Sequence, residues 1–268
     1  MKAKSGLLLY QMLWVTEKLL RPTFRNLDQS FEGWAYQNGL LRQIKRLEAG
    51  GLVESRTGGL GGARFHRLTE AGRLAALGGR DPEAAWAAAW DRKWRLFLFD
   101  VPESERSLRR KLTRALAALG CGRLQGSVWI AATRPQGIDK VFPEEGGDCS
   151  HLMILEAESR GLGVDRRMVE ATWDFEKINR FYQRHIEVME RFPEGGAGTG
   201  RAAVAAWAAR ENEAWLAAVG ADPLLPAVLL PKGYLGRRAW RKRKGVIGRA
   251  AALAELVMNK GEEPRGVD

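Results

Sequence analysis

The chain has 268 residues, more than one ordinary core accommodates, so two or three domains of ~100 residues are expected. Hydrophobic side chains make up 45% and charged ones 28%, which excludes an intrinsically disordered chain. With 43 Lys and Arg against 32 Asp and Glu the formal charge is +11, which favours a nucleic acid, an anionic membrane or an acidic ligand as partner. The two cysteines, Cys121 and Cys149, exclude a disulfide framework and a four-cysteine zinc site. Three scattered histidines, His66, His151 and His185, argue against a histidine-rich metal centre. No metal and no cofactor are expected, and a reducing, cytoplasmic compartment is.

The charge is uneven. Residues 1–80 carry +7, residues 81–200 carry −1 and residues 201–268 carry +5. This suggests basic, DNA-contacting ends around a dimerising or sensing centre. The first segment mimics a signal peptide, with Lys2 and Lys4 before Leu7 to Leu9 and Met12 to Val15. Gln11 interrupts the run, Glu17 and Lys18 follow it, and it is far short of the ~20 residues that span a bilayer. It reads as a buried helix, with no membrane partner.

In chain order, Leu7 to Leu20 predicts a helix closed by Pro22, and a second is expected near Leu27 to Ala35. In Tyr36 to Ala49, Leu40, Leu41, Ile44 and Leu47 share one face of a 3.6-residue period. Asn38, Arg42, Lys45 and Arg46 share the other, with Gln43 at its edge. Gly50 and Gly51 end that helix. Leu52 to Arg56 and Ala63 to Leu68 predict strands around a tip at Gly58 to Gly62, and Thr69 to Gly72 closes the unit. Two helices, a basic helix and a glycine-tipped hairpin make the order of a winged helix-turn-helix, here residues 1–85. Asn, Gln and Arg side chains have paired donors and acceptors that match base edges in the major groove. Asn38, Arg42, Gln43, Lys45 and Arg46 are therefore the candidate groove contacts, and Arg56, Arg64 and His66 the candidate wing contacts. The bland reading is a solvated amphipathic helix before a hairpin, or a winged domain used for protein contacts. Gly58 to Gly62 is no phosphate loop, since no Gly-Lys-Ser/Thr follows.

Residues 90–160 read as a second domain. Trp94 to Phe99 predicts a core strand, and Ser104 is expected to cap a helix to Leu119 whose stripe is Leu108, Leu112, Ala115, Leu116 and Leu119. Arg123 to Gln125 and Val128 to Ala132 predict a hairpin turning at Gly126 and Ser127. A short helix near Ile138 to Phe142 and a strand at Leu152 to Ala157 complete a ferredoxin-like βαββαβ order. Asp100 ends the first strand, where the small CRISPR-adaptation nucleases place a metal-binding acid. The plainer expectation is that Asp100 caps the following turn or helix, because no second acidic cluster accompanies it.

Residues 165–268 predict a helical domain with a basic tail. Asp174 is expected to cap a helix from Phe175 to Phe192, within which Arg180, Arg184 and His185 offer an anion site or merely a solvated face. Arg201 to Val219 predicts another helix, with Trp207 and Trp215 in its core. The basic run Arg237 to Lys244 is either a DNA backbone contact or a solvated helix. The fold class is thus α+β: an N-terminal winged helix-turn-helix, a central ferredoxin-like domain and a C-terminal helical domain.

The stretches WRLFLFDVPESERSLRRKL (94–112), LGCGRLQGSVWIA (119–131), ILEAES (154–159), WDFEKINRFYQ (173–183) and DPLLPAVLLPKGYLGRRA (222–239), in that order, resemble the PaaX family of bacterial transcriptional regulators. The resemblance implies a homodimer that represses a catabolic operon and is released by an aryl-acyl-CoA effector such as phenylacetyl-CoA. A pseudo-palindromic double-stranded operator is the expected partner. The basic tail after Arg238 and the acidic, Gly-rich loop from Pro135 to Ser150 depart from the family pattern. No effector-binding residue and no catalytic residue is carried over. The rival readings are a metal-dependent nuclease using Asp100 and a module that binds nucleic acid without sequence preference.

Overall fold

The computed structural model describes residues 41–58, 63–135, 137–138, 152–193 and 201–259. The chain is mixed α+β and divides into two units. Unit 1 gathers residues 1–80, 184–216 and 238–268; unit 2 gathers residues 81–183 and 217–237. The helices expected at Leu7 to Leu20 and Leu27 to Ala35 lie outside the described residues.

Unit 2 holds the sheet. Strands β3 (Lys93–Phe99), β4 (Gly122–Gln125), β5 (Val128–Ala131) and β6 (Leu152–Glu158) are ordered β4-β5-β3-β6, with each neighbouring pair antiparallel. The crossover follows from the connections. A helix between β3 and β4 returns the chain past one strand position, and β5 fills the gap by a two-residue turn at Gly126 and Ser127. This is the strand order of a ferredoxin-like sheet. The second connecting helix, expected near Ile138 to Phe142, lies outside the described residues apart from Ile138, which is buried in the sheet's core.

β3 is buried most fully on the face that carries Phe97 and Phe99, while Leu96 and Leu98 on the other are only half-buried. Phe97 and Phe99 pack with Leu116, Trp129 and Ile138. Trp94, on the other face by strand alternation, stacks on Trp173 and donates its indole N–H to Asp165 at 2.8 Å. The helix after β3 begins later than expected. A 3-10 turn at Glu103–Glu105 contains Ser104, and the α-helix runs Arg106–Ala118 with Glu105 at its N-cap and no side-chain cap. Ser104 is therefore not the cap. Leu116 is fully buried, while Leu108 faces solvent rather than joining the apolar stripe.

The rest of unit 2 is tied by one carboxylate. Asp222 is buried and accepts Tyr182 Oη–H at 2.6 Å, the Tyr234 hydroxyl and Leu224 N–H at 2.8 Å. Burial pushes both tyrosine hydroxyls well above their ordinary pKa, with the negative field of Asp222 adding to it, so both remain donors. Asn179 brackets the same loop, donating to Gly233 O and accepting Leu235 N–H.

Unit 1 contains helix α1 (Leu41–Ala49), the hairpin β1 (Val53–Gly58) with β2 (Ala63–Leu68), and α2 (Glu70–Ala76). In unit 2, α3 (Pro82–Ala87) precedes β3, α4 is Arg106–Ala118, and α5 (Val164–Thr172) follows β6. Three longer helices complete the chain: α6 (Phe175–Glu190), α7 (Arg201–Ala221) and α8 (Gly236–Asn259). Asp174 caps α6 as expected, its Oδ1 accepting Lys177 N–H at 2.8 Å. Among the described residues no helix is long and apolar enough to cross a membrane.

Candidate nucleic-acid interface

The sequence pattern of α1 is realised in its burial. Ile44 and Leu47 are buried, so the helix has one fixed face, and Arg42, Lys45 and Arg46 are exposed on the other. Among the described residues none of these three side chains makes a hydrogen bond or ion pair. They present three cations within ~6 Å of helix axis, given a rise of about 1.5 Å per residue. Gln43 is half-buried, at the edge of this face. Leu41, expected on the buried face, is 37% exposed. Asn38 lies outside the described residues.

The end of α1 sets where the hairpin starts. Leu52 N–H bonds to Leu47 O and Gly51 N–H to Glu48 O, both at 2.9 Å, which is a Schellman motif with Gly51 at φ +68°. Only glycine adopts that angle without strain. β1 and β2 then pair in the register Val53↔Leu68 through Gly58↔Ala63. Thr69 caps α2 by accepting Gly72 N–H at 3.0 Å, and its hydroxyl donates to Gly51 O at 2.7 Å. Gly72 meets the chain so closely that a Cβ there would lie 1.8 Å from Leu52 O.

The hairpin corrects one expectation. His66 is a candidate wing contact by sequence, but its side chain is only 5% exposed. The register sets Ser55 opposite His66, and Nδ1 sits 2.7 Å from Ser55 Oγ and 3.5 Å from Glu48 Oε1. Ser55 donates its hydroxyl to Glu48, so the ring is tied towards the helix side of the hairpin and not offered to a phosphate. Glu48 and Ser55 were missed because their role is to fix this register, and the pairing of Ser55 with His66 was the one signal available. Arg56 is exposed on β1. Arg64 is in β2, paired with Thr57, and its side chain lies outside the described residues. The tip at residues 59–62 lies outside them as well.

The other candidates separate clearly. Asp100 is exposed directly after β3 and caps neither the 3-10 turn nor α4. Among the described residues no group of three or more His, Cys, Asp or Glu is placed to hold a metal ion. The basic run Arg237 to Lys244 forms the start of α8, and its members differ in fate. Arg243 is buried against Glu211, Lys242 pairs with Glu190, and Arg237, Arg238, Arg241 and Lys244 are exposed. His185 is buried too, so it is not part of a surface anion site, while Arg180 and Arg184 are exposed.

Residues 87–169 match the family described as the PaaX protein central Cas2-like domain. The structure is similar to that of the uncharacterized protein Rv0674 from Mycobacterium tuberculosis, with a TM-score of 0.53 and 18% sequence identity, over 96% of this chain and 99% of that one. At that identity the likeness concerns the fold. No curated protein matches the chain. The matched span takes in β3, α4, the β4-β5 hairpin and β6, which form the ferredoxin-like sheet. The central sheet of this chain is therefore similar to the Cas2-like central domain of PaaX proteins.

Proposed function

We propose that the chain is a transcriptional regulator that binds double-stranded DNA through a winged helix-turn-helix within residues 1–85. The observation that carries this reading is the exposed cation face of α1, where Arg42, Lys45 and Arg46 make no side-chain hydrogen bond or ion pair among the described residues, on a helix anchored by Ile44 and Leu47 and followed by a hairpin. The central Cas2-like domain of the PaaX family supports it. Asn38, Arg42, Gln43, Lys45 and Arg46 are the groove contacts, with Arg56 and Arg64 on the wing. In this reading His66 positions the hairpin and does not touch DNA.

The chain acts as a homodimer, in the cytoplasm, as a repressor of a catabolic operon. It works by occupying DNA and not by cutting it. An aryl-acyl-CoA such as phenylacetyl-CoA releases it. The resemblance to the PaaX family supports the effector class, and no residue is assigned to that ligand.

A gel-shift titration on the DNA upstream of its own gene, against shuffled DNA near 150 mM salt, tests the reading. A preference of ~10³ or more for the native site is expected. Addition of phenylacetyl-CoA is expected to release the complex, and Mg²⁺ to leave the DNA intact. Equal affinity for both DNAs would refute site-specific regulation at that promoter.

A further inference from the structure

Averaged over residues 81–200 the charge is close to zero, yet α4 carries five Arg and Lys and no Asp or Glu in its 13 residues. Two of the five are used within unit 2. Arg106 donates to Glu103 at 2.5 Å, and Arg109 donates to Val101 O at 2.6 Å. Arg110, Lys111 and Arg114 are exposed, and among the described residues their side chains make no hydrogen bond or ion pair. The opposite face of the helix is fixed, with Leu116 fully buried and Leu112 and Leu119 packed against the sheet's core. The three cations therefore point outward in one constant direction.

Their spacing is unfavourable for the helix by itself. Arg110 and Arg114 are four residues apart, and Lys111 and Arg114 three, so like charges face each other along one ridge. An external polyanion relieves that repulsion. A helix turn of about 5.4 Å is longer than the 3.4 Å rise per nucleotide of one DNA strand, so cations one turn apart meet phosphates one to two nucleotides apart. An outward helix face suits an extended polyanion better than a small anion, which binds in a concave pocket. We infer that the outer face of α4, through Arg110, Lys111 and Arg114, is a second contact for the phosphate backbone of double-stranded DNA, separate from α1. The inference rests on the DNA-binding reading above. Contacts of this type position a protein on the duplex and carry no base preference.

The test is fluorescence anisotropy of the full chain on a random-sequence duplex of about 30 base pairs, between 50 and 200 mM KCl, a length and range chosen to resolve the salt slope. Each phosphate contact contributes about 0.9 to the slope of log affinity against log salt. The triple variant Arg110→Gln, Lys111→Gln, Arg114→Gln is expected to flatten the slope by about 2.7, so that across this range the parent loses about 40-fold more affinity than the variant. Its thermal unfolding is expected to match the parent's, as for other surface substitutions. Arg110→Lys with Arg114→Lys keeps the charge and is expected to keep the slope. An unchanged slope in the Gln variant, with DNA binding intact, overturns the α4 contact and leaves the regulator reading standing; an acidic protein is then the occupant to seek. Failure of the parent to bind any duplex overturns both.

Discussion

Glu211 keeps its charge inside unit 1 because Arg243 Nε lies 2.8 Å away and both side chains are about 1% exposed. Burial by itself would raise the Glu211 pKa, but the positive field of Arg243 and the hydrogen bond from His185 outweigh it and hold the carboxyl at about 2. The guanidinium lies 4.5 Å from the centre of the Trp215 ring, a cation–π contact in a desolvated place. His185 Nε2 is 2.7 Å from the same carboxylate oxygen. Burial lowers the His185 pKa against the pull of Glu211, so the imidazole is neutral near pH 7 and the ion pair proper is Arg243 with Glu211. Removing one partner of such a pair strands the other charge. Arg243→Ala is expected to cost about 3–5 kcal/mol in urea unfolding. Arg241→Ala, at an exposed position of the same helix, is expected to stay within about 0.5 kcal/mol. Equal losses in the two variants would contradict this division of one basic run into a structural cation and surface ones.

At the scale of elements, α1, the hairpin and α2 hold one another through backbone contacts. The Schellman end of α1 delivers Leu52, and Leu52 O accepts Thr69 N–H at 3.1 Å, where Gly72 closes on it. Gly72→Ala forces the backbones of α2 and Leu52 apart, because the atom that the Cβ would meet is the backbone carbonyl oxygen of Leu52 and cannot rotate away. A loss of about 1–3 kcal/mol is expected, in the range of other overpacked sites. If the variant denatures at the parent's midpoint, the close approach is not a constraint. The element boundaries also show where local pattern succeeds. β2 and the starts of α6 and α7 follow the expected positions, since glycine turns and an aspartate cap act within a few residues. α4 starts two residues after Ser104 because the peptide first closes a 3-10 turn at Glu103–Glu105, a choice that cap preferences do not decide.

For the whole molecule, acid stability follows from the buried cluster of unit 1. His185 has a folded pKa below its ordinary 6.5, so the unfolded chain takes up that proton first. Stability from this group is present above pH 6.5 and falls as the pH drops towards the folded value. Glu211 has a folded value of about 2 against an ordinary 4.5, so its contribution is present above 4.5 and is lost as pH falls towards 2. Both effects have the same sign. The melting temperature is expected to hold between pH 7 and 8 and to decline from about pH 6.5 downward. His185→Gln is expected to remove the upper part of that decline and leave the lower. A parent whose melting temperature is flat from pH 7 to 5 would show that His185 protonates equally well in the folded chain.

The amino-acid order by itself determined the strands of the central sheet, the cation face of α1 and the resemblance to the PaaX family. Each of these is written in neighbouring residues: a short apolar run at β3, a 3.6-residue period in α1, glycines at its end. Tertiary structure alone decided which polar residues face inward. His66, His185 and Arg243 look like their exposed neighbours in the sequence, and they are buried because Ser55 and Glu48, or Glu211 and Trp215, reach them from other elements. It also decided that residues 184–216 and 238–268 group with residues 1–80, as in the bond from Trp215 Nε1 to Leu77 O at 3.3 Å. That bond joins positions 138 residues apart, and no local period or composition encodes it. The cations of α4 were hidden for a related reason: a regional net charge sums over faces, and only folding separates the face that meets solvent from the one that meets the core.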